Sequence, residues 1–171
     1  EPRRFVINFG GGEALLRDDV LELVQEASAR GFITNIASNG WLIDKPMAQR
    51  IAASGLRSIN LSLDSLRPEV HDTLRGTPGA TERVFQAINA LRDAAPEIEI
   101  GICTVLYDTN IGDIVPLVRW VQHNPNINWI VFMAAMQPNN TPPDAQWYKH
   151  EFNYLWPKQP RAVRWLLHYL M

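Results

Sequence analysis

The chain has 171 residues, 46% of them hydrophobic and 20% charged, with a formal net charge of −2. That length suits about one domain with a substantial core, and the balanced charge excludes the clustered Lys/Arg surface that a nucleic-acid partner demands. No apolar run reaches the ~18 residues of a membrane span and no signal peptide opens the chain, so no membrane partner is expected, and the single cysteine, Cys103, excludes an internal disulfide and suits a reducing cytoplasm.

The first expected element is a strand over 5–9, Phe5-Val6-Ile7-Asn8-Phe9, running straight into Gly10-Gly11-Gly12-Glu13. Glycines at a strand end let the backbone approach a bound molecule with no Cβ in the way. Glu13 then offers a fixed negative charge that suits an ammonium group. Many such turns are glycine-rich for steric reasons alone, so the stretch gains weight only from the ends of the later strands. Residues 18–30 carry Val20, Leu21, Leu23, Val24 and Ala27 at helical spacing, with Asp18 and Asp19 at the positive end and Gly31 as a stop. A second strand over 33–37 leads into Ser38-Asn39-Gly40. A helix fits 45–54, stopped by Gly55, and a third strand over 58–63 ends in the polar stretch Ser62 to Ser65. Short and long helices fit 67–74 and 80–94. A fourth strand over 98–105 leads to Asp108 to Asn110, followed by a helix over 111–122 and a fifth strand over 127–134.

Residues 136–160 change character. Gln137-Pro138-Asn139-Asn140-Thr141-Pro142-Pro143-Asp144 reads as a turn-rich loop, followed by the aromatic residues Trp147, Tyr148, Phe152, Tyr154 and Trp156. A last helix begins near Pro160. Its polar positions Arg161, Arg164 and His168 form one narrow stripe, so most of its surface is expected to be buried. Glu1-Pro2-Arg3-Arg4 enters the first strand with no cap region and the chain stops at Met171 inside a helical pattern, which leads us to expect a fragment of a longer protein.

Near-continuous apolar strands alternating with helices give an α/β fold with a parallel sheet, either open and doubly wound or closed into a barrel. In both, ligands bind at the C-terminal ends of the strands. Four successive strands carry glycine or polar groups at that end, which describes a single site.

The ordered set Gly11-Gly12-Glu13, Ser38-Asn39-Gly40-Trp41-Leu42-Ile43, Ile59-Asn60-Leu61-Ser62-Leu63-Asp64-Ser65, His71-Asp72 and Leu74-Arg75-Gly76 resembles the radical S-adenosylmethionine (radical SAM) superfamily. The likeness is to the branch of molybdenum-cofactor synthase and the SPASM/twitch-type maturases, and it covers roughly residues 5–135. It implies a partial parallel (β/α) barrel, TIM-barrel-like and lacking its first βα unit. Residues 1–135 would form this core, and 136–171 a loop and C-terminal helix that continue the barrel or lead to a further extension.

The resemblance implies a cofactor, S-adenosyl-L-methionine, and roles for individual residues. Gly11, Gly12 and Glu13 match the motif that holds its amino group, a carboxylate being a sensible receptor for an ammonium ion. Ser38 and Ser62 match positions facing the ribose, with Asp64 nearby, although a Ser or Asp at a strand end is commonly engaged in a local turn bond. Arg75 matches a basic residue that takes the methionine carboxylate; otherwise it is a surface arginine at a helix end. Val105 and Met133, beside Phe132 and Ala134, match the adenine-packing strands by location only. Asn110 resembles a recurring family asparagine without an assigned role.

The family also implies a [4Fe-4S] cluster on a CxxxCxxC loop, because soft thiolates suit iron–sulfur clusters. One cysteine cannot supply it, so no metal ligand is assigned in this chain. The loop is expected upstream in a full-length parent, and the fragment alone is not expected to cleave S-adenosylmethionine. The parent would use an electron donor and the cluster to cleave the cofactor to a 5′-deoxyadenosyl radical, which abstracts hydrogen from a small-molecule or peptide substrate. Two other readings stay open. One is a cluster-free module that binds S-adenosylmethionine or another nucleotide; the other is an unrelated βα-barrel enzyme using Glu13 and Asp64 for acid–base chemistry.

The remaining chemistry-bearing residues point elsewhere. His71, His123, His150 and His168 are scattered without metal-ligand spacing, and His71-Asp72 is expected to cap or pack a short helix. Cys103 is expected to be a core thiol. Of the six tryptophans, Trp147 and Trp156 are the candidates for substrate or inter-domain contact. No Lys-Ser/Thr follows the glycines, so a phosphate P-loop is not supported, and Leu15 breaks a dinucleotide fingerprint.

Overall fold

The computed structural model describes residues 5–137, 141–150 and 152–170; the tetrapeptide 1–4, Pro138-Asn139-Asn140 of the expected loop, Glu151 and Met171 lie outside the described residues. Five strands, β1 (Val6–Phe9), β2 (Ile33–Ser38), β3 (Ser58–Ser62), β4 (Glu99–Leu106) and β5 (Trp129–Ala134), pair in parallel in simple chain order. A doubly wound sheet reverses its strand order at a switch point. Sequential order does not, and the sheet curls into a half-barrel. The connecting helices are α1 (Val20–Ala29), α2 (Lys45–Ala53), α3 (Pro68–Arg75), α4 (Ala80–Ala94), α5 (Ile114–His123) and α6 (Pro160–Leu170). The helix expected over 111–122 divides into a single-turn 3-10 segment, Ile111–Asp113, and α5.

Side chains alternate across a strand, and here the two faces have different fates. Ile36, Ile59, Leu61, Ile100 and Ile102 point to the helix side and form one core with Val24, Ile51, Val84, Leu91 and Leu117 from α1, α2, α4 and α5. On the other face Asn35, Asn60 and Trp129 make a hydrogen-bonded row. Asn35 Nδ2 donates to Ser58 Oγ (2.8 Å), Asn60 Nδ2 donates to Asn35 Oδ1 (3.2 Å), and Trp129 Nε1 donates to Asn60 Oδ1 (2.9 Å). The last bond reaches from β5 to β3 over Gly101 of β4. A Cβ there would sit 2.0 Å from Trp129 Nε1, so only glycine leaves the crossing open.

Two expectations from the sequence are corrected. Cys103 is half-buried on the inner face rather than in the core, its thiol donating to Met133 Sδ at 3.4 Å. The half-burial pushes the thiol upward from its usual pKa, with Arg75 opposing the shift. Helix α6 is not mostly buried: among its described residues Leu166 alone is fully buried, against Ile114 and Val118 with Leu170 partly buried beside it, while Trp165 and Leu167 are 60% and 51% exposed. A narrow polar stripe marks the wettest line of a helix but does not say how many neighbours cover the rest.

Segment 141–159 is tied back to the loop after β4. Asp108 N donates to Leu155 O (3.4 Å) and Lys158 N donates to Asp108 Oδ1 (2.6 Å). Trp147 and Trp156, the two expected contact residues, meet edge to face at 5.8 Å, and Tyr148 lies 5.1 Å from Trp156.

Candidate functional site

Construction begins at the turn after β1. Gly11 (φ +92°) and Gly12 (φ +59°) lie in the left-handed region, with open space where a Cβ would stand, so the demand for glycine comes from backbone conformation. The turn carries Glu13 back over the end of β2. Its Oε1 accepts from Ser38 Oγ (2.9 Å) and Leu15 N (3.2 Å), and its Oε2 accepts from Asn39 N (2.7 Å). A carboxylate offers about four acceptor positions, so Glu13 is fixed in place and keeps capacity for one more donor. Ser38 Oγ in turn accepts from Gly40 N at 3.0 Å.

The opposite wall is built at the end of β3. Asp64 is fully buried, and its Oδ1 accepts from Val105 N of the neighbouring strand at 2.9 Å. Its Oδ2 stands 2.8 Å from Arg75 Nη2 and 3.6 Å from His71 Nδ1. The arginine contact is close yet off the line of a hydrogen bond, so Asp64 Oδ2 and Arg75 Nε are buried without hydrogen-bond partners among the described residues. The pair is held by charge. Asp64 N donates to His71 Nδ1 at 3.1 Å. Asn110 Nδ2 donates to both Asp64 O and Val105 O at 2.9 Å, while its Oδ1 accepts from Tyr107 N at 2.8 Å. The asparagine whose role the sequence left unassigned therefore clamps the β3 and β4 loops together.

Asp72 anchors α3 to the start of α4. Its carboxylate accepts from Gly79 N (2.6 Å), Thr81 N (2.8 Å) and Thr81 Oγ1 (2.7 Å). Desolvation pushes its pKa up, but the bonds from Thr81 and Gly79 outweigh it and hold the carboxyl below the ordinary value. A second tie joins the loops: Ser65 Oγ and Arg67 both donate to Asp113, and that pairing raises the Arg67 pKa.

Between these walls lies a cleft of about 530 Å³. Of the residues expected at the site, Gly12, Ser38, Ser62 and Arg75 line it, and Glu13 bonds directly to the lining residues Ser38 and Asn39. Gly11 shapes the turn behind it. Asp64 stands behind Arg75, and Val105 reaches the site only through its N–H on Asp64. Met133 sits beside Val105 in register on the inner face. Asn39, Trp41, His71 and Thr77 also line the cleft and were not among the expected site residues. The spacing of His71 and Arg75, one turn apart on α3, was the available signal. A larger hollow, about 760 Å³, opens near Phe32, Leu56 and Pro96 at the N-terminal ends of the strands, the end that carries stability rather than chemistry in barrel folds. Among the described residues no three His, Cys, Asp or Glu side chains gather as a metal site, and no helix is long and apolar enough to cross a membrane.

Comparison with known proteins gives the same picture from three sides. The model of the Radical SAM superfamily matches residues 2–121. The AdoMet-dependent heme synthase of Nitratidesulfovibrio vulgaris is 33% identical over 130 residues, covering 76% of this chain and 35% of that protein. The PqqA peptide cyclase of Rhizobium meliloti is 31% identical over 113 residues, covering 66% of this chain and 30% of that protein. The chain thus spans about a third of the length of these curated relatives. Among solved structures, anSMEcpe with bound AdoMet superposes with a TM-score of 0.70 at 18% identity, over 96% of this chain and 44% of that one. Streptococcus suis SuiB bound to S-adenosylmethionine gives a TM-score of 0.70 at 17% identity, over 96% and 36%. At such identities the superpositions establish the fold, a partial parallel barrel.

Proposed function

The chain belongs to the radical SAM superfamily, and from that premise we propose that its cleft binds S-adenosylmethionine as the cofactor-holding part of a radical SAM enzyme. The carrying observation is a cleft lined by Arg75 and by Ser38 and Asn39, the two residues that hold the Glu13 carboxylate behind them. A methionine end has an ammonium and a carboxylate, and a volume of about 530 Å³ lies within the range of small-ligand pockets. Glu13 would hold the ammonium through its unused acceptor capacity. Ser38 and Ser62, at the ends of β2 and β3, would meet the ribose. Asp64 takes no direct part, because both its oxygens face protein; it holds Arg75 at the cleft and Val105 N in the sheet. That burial also counts against an acid–base enzyme using Asp64.

The [4Fe-4S] cluster does not fit this donor set. Cys103 is the one cysteine, half-buried with its thiol donating to Met133, so the cluster belongs to the full-length enzyme. There, S-adenosylmethionine would supply the radical chemistry, and Glu13, Ser38, Ser62 and Arg75 of this chain would hold and orient it. Relatives named for a peptide and for heme favour a peptide or small-molecule substrate; an electron donor and a cytoplasmic setting are part of the proposed reading. In this reading residues 1–135 form the cofactor-binding unit, and 136–171 continue the barrel or lead to a further extension.

Equilibrium binding of S-adenosylmethionine to the 171-residue chain tests the proposal. The chain should bind, and Glu13→Gln should weaken binding about tenfold or more, the worth of one charge-assisted bond. No binding by the unaltered chain, or equal binding by Glu13→Gln, would overturn it.

A further inference from the structure

A second hollow, of about 390 Å³, opens beside α6. Leu106 and Ala134, the last residues of β4 and β5, line it together with Trp156, Pro157, and Val163 and Arg164 of α6. Leu106 and Ala134 pair one step past Val105 and Met133, so they point to the opposite, helix-side face of the sheet. Leu106 packs there with Ile114 and Leu166. The hollow shares no lining residue with the cofactor cleft. Its Trp156 wall is fixed from behind by Trp147 and Tyr148 and by the bond from Lys158 N to Asp108 Oδ1. A wall set before a ligand arrives loses little on binding.

Arg164 is the one charged residue in this lining, and every other lining residue is apolar. Its guanidinium has no hydrogen bond or ion pair among the described residues. The hollow near Phe32 also holds an arginine, Arg57, but Glu99 already pairs with it. Apolar walls around a space of this size, with a single charged group, are the make-up of a small-ligand site.

We infer that this hollow is a second ligand site, separate from the cofactor cleft, for a small apolar carboxylic acid. The acid's apolar body replaces water against Leu106, Ala134 and Trp156, and its carboxylate meets the fork of Arg164, whose geometry matches it. One arginine balances one charge. A phosphate dianion would leave a second charge beside apolar walls, and an amine would meet a like charge. The inference does not rest on the S-adenosylmethionine reading.

Naphthaleneacetate and its uncharged amide, naphthaleneacetamide, differ in charge and hardly in shape. Each would be titrated into the 171-residue chain at low ionic strength and followed by ligand-observed NMR. The acid should bind with a Kd of about 0.1–5 mM, as so few ligand atoms allow. The amide should bind about threefold or more weakly, the worth of an ion pair at an exposed arginine, and added salt should shrink that preference. Arg164→Gln should bring the acid down to the level of the amide and leave the amide within about twofold. Val163→Trp, which adds bulk to the lining, should weaken both. Saturating acid should leave S-adenosylmethionine binding within about twofold, the two sites being separate. The preference of the unaltered chain needs no variant to fold. Equal binding of acid and amide, unchanged acid binding in Arg164→Gln, or no binding of the acid at about 10 mM would overturn the inference. Competition between the acid and S-adenosylmethionine would place the acid in the cleft and overturn it as well. Binding of the acid by a chain that does not bind S-adenosylmethionine would sink the cofactor reading and leave this site standing.

Discussion

The two ends of the chain are built to different standards. From β1 to the loop after β4, polar side chains are buried and engaged: Asn35, Ser38, Asp64 and Asn110 are all buried, and each has a named partner. From β5 onward Ala135 and Leu166 alone are buried among the described residues, and apolar side chains stand exposed, as Phe5, Val6 and Leu16 do at the opposite edge. Met133 and Met136 are 41% and 69% exposed, and α6 fully buries a single leucine. A cleft that orients a ligand by charge needs its groups fixed before the ligand arrives, because reorganisation subtracts from affinity. A wall that fills space needs only shape.

The sharpest way to break this contrast is at Asp64. Asp64→Ala removes the acceptor for Val105 N and leaves Arg75 uncompensated, so unfolding stability should fall by about 3–5 kcal/mol. Urea denaturation followed by tryptophan fluorescence would measure it. A loss below about 1 kcal/mol would mean that Arg75 swings into solvent at little cost, and the rigid half would be less rigid than its bonds suggest.

Next in size is Gly101→Ala. The added Cβ meets the Trp129 ring and Asn60 Oδ1, at 2.0 and 2.3 Å, and the overpacking should cost about 2–3 kcal/mol. Trp129 belongs to the looser half and Asn60 to the tighter one, so this crossing is where the two meet. If the clash with the indole dominates, the cost of Gly101→Ala should shrink in a Trp129→Leu background, a non-additivity that a double-mutant cycle reads directly.

That crossing also marks a limit of what the sequence discloses. The five strands, their order of appearance and the helices between them were legible, because the switch from β-branched runs to helical spacing is a local signal. Gly11-Gly12-Glu13 was legible for the same reason, since a left-handed turn demands glycine wherever it occurs. Four of the nine expected site residues line the cleft and a fifth bonds to its lining. Asp64 looked like a ligand-facing acid and lies behind one of the cleft's walls, because a strand-end position does not reveal which neighbour will take the side chain. His71 looked like packing. It lines the cleft, and its ring is held by the Asp64 backbone N–H seven residues away, a contact that the one-turn spacing to Arg75 does not disclose. Gly101 gave no sign at all, since its reason stands on β5.

Asp72 offers a graded test of how α3 is held. Asp72→Ala should cost about 1–2 kcal/mol near neutral pH, the range for losing a helix cap. The carboxyl lies below its ordinary value of 3.8 in the fold, so the unfolded chain binds protons first on acidification. The contribution is therefore complete above the unfolded pKa and is lost as pH falls through the folded one. The stability gap between the original chain and Asp72→Ala should be constant from about pH 7 to 5 and close below about pH 4. A gap that persists undiminished at pH 2 would mean that the carboxyl acts there as a neutral acceptor.

The smallest effect is expected on α6, and its smallness is informative. Trp165 stacks on Tyr169 at 5.5 Å and is 60% exposed, whereas its neighbour Leu166 is 2% exposed against Ile114 and Val118. Trp165→Ser should change stability by no more than about 0.5 kcal/mol, as for other surface positions, while Leu166→Ala should cost about 2 kcal/mol or more. Adjacent positions on one helix would then differ at least fourfold, which is what docking along a single line predicts. If Trp165→Ser instead costs as much as Leu166→Ala, the tryptophan is covered in solution. The exposed face of α6 would then be a second packed surface, and the contrast between the two halves would belong to the isolated chain alone.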